Sequence, residues 1–237
     1  PLFPLGARFA PPSGNYRWVE PWGAPLRVMH WVAALAILVL IVTGFYIGRP
    51  YFMTTGAPPQ YLMGYIRLIH YVAAGVFVMT GLVRFYWLFA GNQFERLPAL
   101  FPVRKRDWVN LVTQVKYYLM IHPERAPHYI GHNPLQQLSY TTTYVVSIVV
   151  MLTGFAMYGQ AEPGGFFYTI TQPLTLAVGG IQVVRLVHHL CVWWFIIFPI
   201  MHIYLVIRKE VTERGGGLSG IVNGGHYIRA DKQYVDE

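Results

Sequence analysis

Nine histidines stand in this chain of 237 residues, and five fall where an ionisable group is costly. His30, His70, His188, His189 and His202 lie within long apolar stretches. An imidazole inside a bilayer marks a metal ligand, a proton carrier or a hydrogen-bonded core group. His188 and His202 share one stretch, RLVHHLCVWWFIIFPIMHIYLVIR from Arg185 to Arg208, and stand fourteen residues apart. On a helix, fourteen steps return to within about 40° of the same face and advance about 21 Å. One helix therefore offers an imidazole near each surface of a hydrocarbon slab about 30 Å thick. Two haems suit two such sites, each iron taking its second imidazole from another helix. The single cysteine, Cys191, lies in the same stretch. It excludes an internal disulfide, a CxxCH haem attachment and a cysteine-ligated iron–sulfur cluster. Any redox metal must then rest on histidine.

These histidines need helices to position them, and the composition supplies them. The chain is 54% hydrophobic and only 12% charged, about half the charge of a soluble domain. The expectation is an all-α membrane protein, a four-transmembrane-helix bundle, read as one integral membrane domain over 1–237. The spans run over about 26–47, 62–90, 138–158 and 183–208. His30 begins the first span, and His70 lies about two turns into the second. The net charge of +8 fits basic loops beside anionic lipid; no nucleic-acid module pattern is present.

Between the spans, residues 1–24 read as an aperiodic Pro- and Gly-rich surface loop. The lead from Pro1 has no cleavable signal pattern and lacks an initiator Met, so the true start is expected upstream. TTGAPPQ is a loop after span 1, and 159–180 is a Gly-rich loop without Lys or Arg. The loop 91–137 is basic, and its Trp108, Leu111, Val112, Val115 and Leu119 fall at helical spacing. That pattern fits an amphipathic helix in the membrane interface, or a solvated helix packed on the bundle. The tail 209–237 is polar and Gly-rich.

Basic residues orient the spans. The loop after span 2 carries Arg96, Arg104, Lys105, Arg106, Lys116 and Arg125; the tail region carries Arg208, Lys209, Arg214, Arg229 and Lys232. The opposite side has Arg49, with Arg67 and Arg185 at span starts. Both termini and the basic loop are thus expected in the cytoplasm. Depth then pairs the histidines: His30 with His202 on the inner side, His70 with His188 on the outer. His189 is turned about 100° from His188 and about 220° from His202, off their face. His122, His128, His132 and His226 belong to loops or the tail. Arg27, Arg67 and Arg185 each precede a proposed ligand by three residues, one turn nearer water. They either pair with haem propionates or snorkel to the surface as ordinary span ends. Trp193 and Trp194, between the two sites, read as core packing, and Cys191 as a small packing residue. Asn133 and Pro134 end the loop before span 3.

Six stretches together resemble one family: APLRVMHW in span 1, GYIRLIH in span 2, IGHNP before span 3, LTGFAMY in span 3, VHH with MHIY in span 4, and VNGGHYI in the tail. The chain from Gly23 onward is similar to the b-type cytochrome subunit of membrane-bound uptake nickel–iron hydrogenases, within the cytochrome b561-like superfamily. The Pro-rich lead and the Gly-rich 159–180 loop depart from that pattern. The resemblance implies two b haems held by His30, His70, His188 and His202, in a bacterial inner membrane. It also implies a hydrogenase small subunit docked on the periplasmic face, and through it the large subunit. Electrons would enter at the outer haem, cross to the inner one and reduce a quinone, with no hydrogen chemistry in this chain. Arg27, Tyr129, His132 and Tyr227 are the candidates for a quinone site beside the inner haem. Alternatives are the cytochrome b subunit of another quinone-linked oxidoreductase such as formate dehydrogenase, a stand-alone cytochrome b561-type carrier, and a haem-free transporter or membrane anchor that uses its histidines as a proton relay.

Overall fold

The computed structural model describes residues 15–51, 61–102, 104–119, 121, 127–213 and 217–237. The lead before residue 15, TTGAPPQ, His122, Arg125 and Arg214 lie outside them. Among the described residues, four helices are long and apolar enough to cross a membrane: α1 (Ala24–Gly48), α2 (Leu62–Ala90), α5 (Pro134–Gly159) and α7 (Ile181–Glu213). Shorter elements complete the order: β1 (Tyr16–Val19), α3 (Leu97–Leu100), α4 (Lys105–Tyr118), α6 (Phe166–Ala177), α8 (Gly217–Asn223) and β2 (His226–Arg229). The protein is an all-α integral membrane protein with one short two-stranded ribbon.

Apolar composition alone makes the spans helical, because a backbone in hydrocarbon must satisfy its own hydrogen bonds. Hydroxyl side chains do the same locally. Thr43 donates to the Val39 carbonyl, Thr80 to Val76, Ser147 to Thr143 and Thr153 to Val149. Exposed apolar residues such as Leu35, Leu38 and Val42 on α1, and Leu186, Leu190 and Ile197 on α7, suit a lipid surround.

Two compact units divide the chain. One comprises residues 29–84 and 142–200. Its core is Ala36, Phe77 and Phe195, against which Ile37, Leu40, Val150, Met151 and Trp194 pack. Phe77 and Phe195 meet edge to face at 6.0 Å, and Trp194 donates to Thr143. Phe195 stands seven residues from both His188 and His202. The packing role read for Trp194 is therefore its observed one.

The other unit comprises residues 1–28, 85–141 and 201–237. Here β1 and β2 pair antiparallel, Tyr16 opposite Arg229 and Val19 opposite His226. The reading of 1–24 as a loop is corrected at residues 16–19: the partner strand lies in the tail, where a local pattern cannot reveal it. The tail is likewise more ordered than its composition suggests, with α7 continuing to Glu213 before α8 and β2.

The 159–180 loop is corrected too, since it contains α6. That helix is inverted, with Thr171 and Thr175 buried and Phe166, Ile170, Leu174 and Leu176 exposed. The glycines mark its end. Gly180 N–H donates to the Thr175 carbonyl and Gly179 N–H to Leu176, with Gly179 at φ 102°, a Schellman closure. Helix α4 shows the same inversion: Asp107 and Gln114 are buried while Trp108, Val112, Val115 and, at its C-cap, Leu119 are exposed.

Candidate functional site

Histidine support begins with a repeated tripeptide. Thr43-Gly44-Phe45 on α1 and Thr153-Gly154-Phe155 on α5 share one sequence, and each faces a histidine of the next long helix. Thr43 Oγ1 lies 2.8 Å from His70 Nδ1. Thr153 Oγ1 lies 3.0 Å from His188 Nδ1. Beside them, a Cβ placed on Gly44 would stand 3.4 Å from His70 Cε1, and one on Gly154 would stand 3.4 Å from His188 Cε1. His188 also contacts the Val150 backbone and lies within electrostatic reach of His70. All of these residues belong to the unit of residues 29–84 and 142–200.

This arrangement suits an axial imidazole. A ligating histidine usually holds its second ring nitrogen in a hydrogen bond, which sets the tautomer and the ring plane. With Nδ1 engaged on threonine, Nε2 of each ring is left for a metal. The donor set is two neutral imidazoles, appropriate to a haem iron and not to a three- or four-ligand ion. Among the described residues, no three His, Cys, Asp or Glu side chains converge as a metal cluster would require. The residues present therefore fit a haem.

The other sequence-predicted residues fall as follows. His30 is half-buried in the same unit as His70, with its ring against Trp31 at 5.0 Å. His202 belongs to the other unit and lies 6.5 Å from the Tyr140 ring. Arg67 and Arg185 are exposed, and Arg185 donates to Gln182. Arg27 donates from one guanidinium nitrogen to the Val222 carbonyl, while its Nε is buried without a hydrogen-bond partner. His189 is exposed, its Nε2 3.6 Å from the Cβ position of Gly48. Trp193, read as core packing, is instead exposed, its ring edge-on to Phe45 at 6.2 Å. Cys191 is a free thiol.

IGHNP and the tail organise the second unit. Ile130 and Gly131 donate their N–H groups to Asp236, each at 2.7 Å. His132 is buried between the rings of Trp22 at 4.7 Å and Tyr140 at 4.8 Å. Asn133 and Gln136 exchange side-chain and backbone bonds at the start of α5, a capping box with Pro134 as the first helical residue. Of the quinone candidates, Tyr129 accepts from Asn110, and burial raises its hydroxyl above the usual range. Tyr129 and Tyr227 line a cavity of about 220 Å³ with His128, His226, Arg208 and Lys232. His132 and Arg27 are not among the residues lining it. Sequence reasoning missed Thr43 and Thr153; the signal that finds them is the duplicated Thr-Gly-Phe.

Comparison with known proteins completes the assignment. A family described as prokaryotic cytochrome b561 matches residues 21–224. A probable Ni/Fe-hydrogenase B-type cytochrome subunit of Azotobacter vinelandii is 41% identical over 222 residues, covering 90% of each chain. A like-named protein of Cupriavidus necator is 39% identical over 85% of this chain and 84% of its own. The probable Ni/Fe-hydrogenase 1 B-type cytochrome subunit of Escherichia coli K12 is 34% identical over 85% of this chain and 87% of its own. With a family model matched over residues 21–224 and four helices among the described residues long and apolar enough to cross a membrane, this chain belongs to the prokaryotic cytochrome b561 family, b-type and therefore haem-carrying.

Proposed function

We propose that this chain is the membrane anchor and electron-transfer subunit of a nickel–iron hydrogenase, linking a periplasmic iron–sulfur small subunit to the quinone pool. The likeness to relatives named as hydrogenase cytochrome subunits supports the partner. The observation that carries the electron-transfer role is the threonine-anchored pair His70 and His188. When bound, haem b would supply one-electron ferric–ferrous chemistry. His70 and His188 would hold the outer group. His30 and His202 would hold the inner one, a pairing that rests on helical depth. In this topology Arg67 and Arg185 sit one turn toward the outer surface, where they would pair with propionates. Arg27 keeps a buried Nε for the same purpose at the inner site.

The membrane is the bacterial inner membrane, with both termini and the α4 segment in the cytoplasm and the α6 segment facing the periplasm. The exposed apolar residues of α4 lie in the headgroup boundary. Quinone reduction belongs to the cytoplasmic side, where Tyr129, His132, Tyr227 and Arg27 supply proton donors and polar anchors. The chain acts as one membrane domain over 1–237.

The test is purification of the chain with its partners. Pyridine haemochrome analysis should give two haem b per chain, both reduced by hydrogen when a nickel–iron large subunit co-purifies. His188→Ala should lose the outer haem and His30→Ala the inner one, while His189→Ala keeps both. Two haems retained in His188→Ala would refute the ligand assignment, and co-purification with a formate-oxidising partner would refute the hydrogenase assignment.

A further inference from the structure

We propose that Thr43-Gly44 and Thr153-Gly154 form a matched pair of positioning elements that fix both axial ligands of one haem as Nδ1–H tautomers and hold down its potential. The proposal rests on reading His70 and His188 as the ligands of that haem.

The argument is one of hydrogen counting. A threonine hydroxyl has a single proton to donate. Thr43 lies 2.7 Å from the Val39 carbonyl and Thr153 lies 2.7 Å from the Val149 carbonyl. A carbonyl only accepts, so each hydroxyl proton points back along its own helix. A second carbonyl, Leu40 at 3.3 Å or Val150 at 3.0 Å, lies on the same side. Each hydroxyl oxygen therefore has only lone pairs to offer a histidine. The imidazole Nδ1 must carry the proton and donate it, which leaves the Nε2 lone pair for iron. The tautomer is set before any metal arrives.

Glycine is the necessary neighbour of that threonine. The residue after it stands over the ring edge, and even a Cβ there would reach van der Waals contact with Cε1. Larger side chains would displace the ring from its threonine. The two ligands come from different helices, α2 and α7, and their supports from two others, α1 and α5. The same tripeptide serving both sides points to one requirement met twice.

The electronic effect has a definite sign. An acceptor on Nδ1–H makes the ring a stronger donor at Nε2. A stronger donor favours the more highly charged ferric ion, so the potential falls. Removing the acceptor should raise it. Loss of a supporting partner costs about tenfold or more in ligand performance; a tenfold loss of ferric preference is about 59 mV for one electron.

The experiment uses the purified hydrogenase complex carrying Thr43→Val, Thr153→Val, both together, and Thr→Ser at each site. Haem content is measured by pyridine haemochrome, potentials by optical redox titration, and axial geometry by the low-spin ferric EPR signal. Each valine variant should retain two haems and raise one potential, the same one in both, with a shifted EPR signal. The double variant should rise further, and serine should restore the parental values. Loss of that haem with valine but not with serine also supports the proposal. An unmoved potential in the double variant, serine behaving like valine, or the two threonines moving different haems overturns it. His70→Ala and His188→Ala check the underlying reading separately: each must remove the same single haem, whatever the threonine variants do.

Discussion

A buried imidazole outside the membrane spans registers how strongly burial acts on single residues. His226, on β2, is buried, and desolvation with the nearby Lys209 charge pushes its pKa down from 6.5 to about 4. Between those values the unfolded chain binds more protons than the folded one, so stability rises with pH. The β1–β2 region should be fully stable above about pH 6.5 and lose up to about 3 kcal/mol as pH falls toward 4. Thermal midpoints in detergent, followed by tryptophan fluorescence across this range, should show the decline in the parent and a flatter profile in His226→Gln. Equal slopes would remove His226 as the cause. The four candidate ligand histidines were legible from residue type and spacing alone, because a titratable ring in an apolar run has few uses. Thr43 and Thr153 were not, because a threonine inside a span usually serves its own helix, and both of these do that as well.

Glu95 shows how an element is held by one side chain. It is 1% exposed, and its carboxylate accepts from Gly23 N–H at 2.6 Å, Trp87 Nε1–H at 2.9 Å and Asn92 N–H at 3.2 Å. Gly23 immediately precedes α1, so the anion also sits where the helix dipole favours it. Glu95→Ala would take the acceptor from three part-buried hydrogen bonds and should cost about 3 kcal/mol. The expected readout is a lowered thermal midpoint, with Glu95→Gln intermediate because its amide can still accept. A midpoint unchanged in the alanine variant would mean that water replaces the carboxylate. The tail ribbon has an equally local demand: a Cβ on Gly225 would lie 2.5 Å from both Trp18 and the Val19 carbonyl. Helices α4 and α6 resisted sequence reading to different degrees. Both bury polar residues and expose apolar ones, but the apolar residues of α4 recur at helical spacing, whereas α6 lies in a glycine-rich segment that reads as a loop.

At the scale of the molecule, orientation is the claim most open to direct measurement. The single native thiol, Cys191, can be replaced by serine to give a cysteine-free background. Glu162 and Asp231 are both exposed and lie on sides proposed to be opposite. A membrane-impermeant maleimide should label Glu162→Cys in intact spheroplasts and Asp231→Cys only after lysis. The reverse pattern would invert the topology and exchange the outer and inner assignments of the haem sites.

Length, hydropathy and histidine spacing determined four spans, their approximate ends and the four candidate ligands, because each depends on residues within one helix. The asymmetry of Lys and Arg indicated a direction for the same reason. What joins distant segments needed the tertiary structure. The strand Tyr16–Val19 exists because His226–Arg229 pairs with it. Asp236 clamps IGHNP from the far end of the chain. The Nδ1 atoms of His70 and His188 each meet a threonine hydroxyl from another helix. Periodicity records which face of a helix is apolar; it does not record which hydroxyl, from which neighbour, arrives at that face.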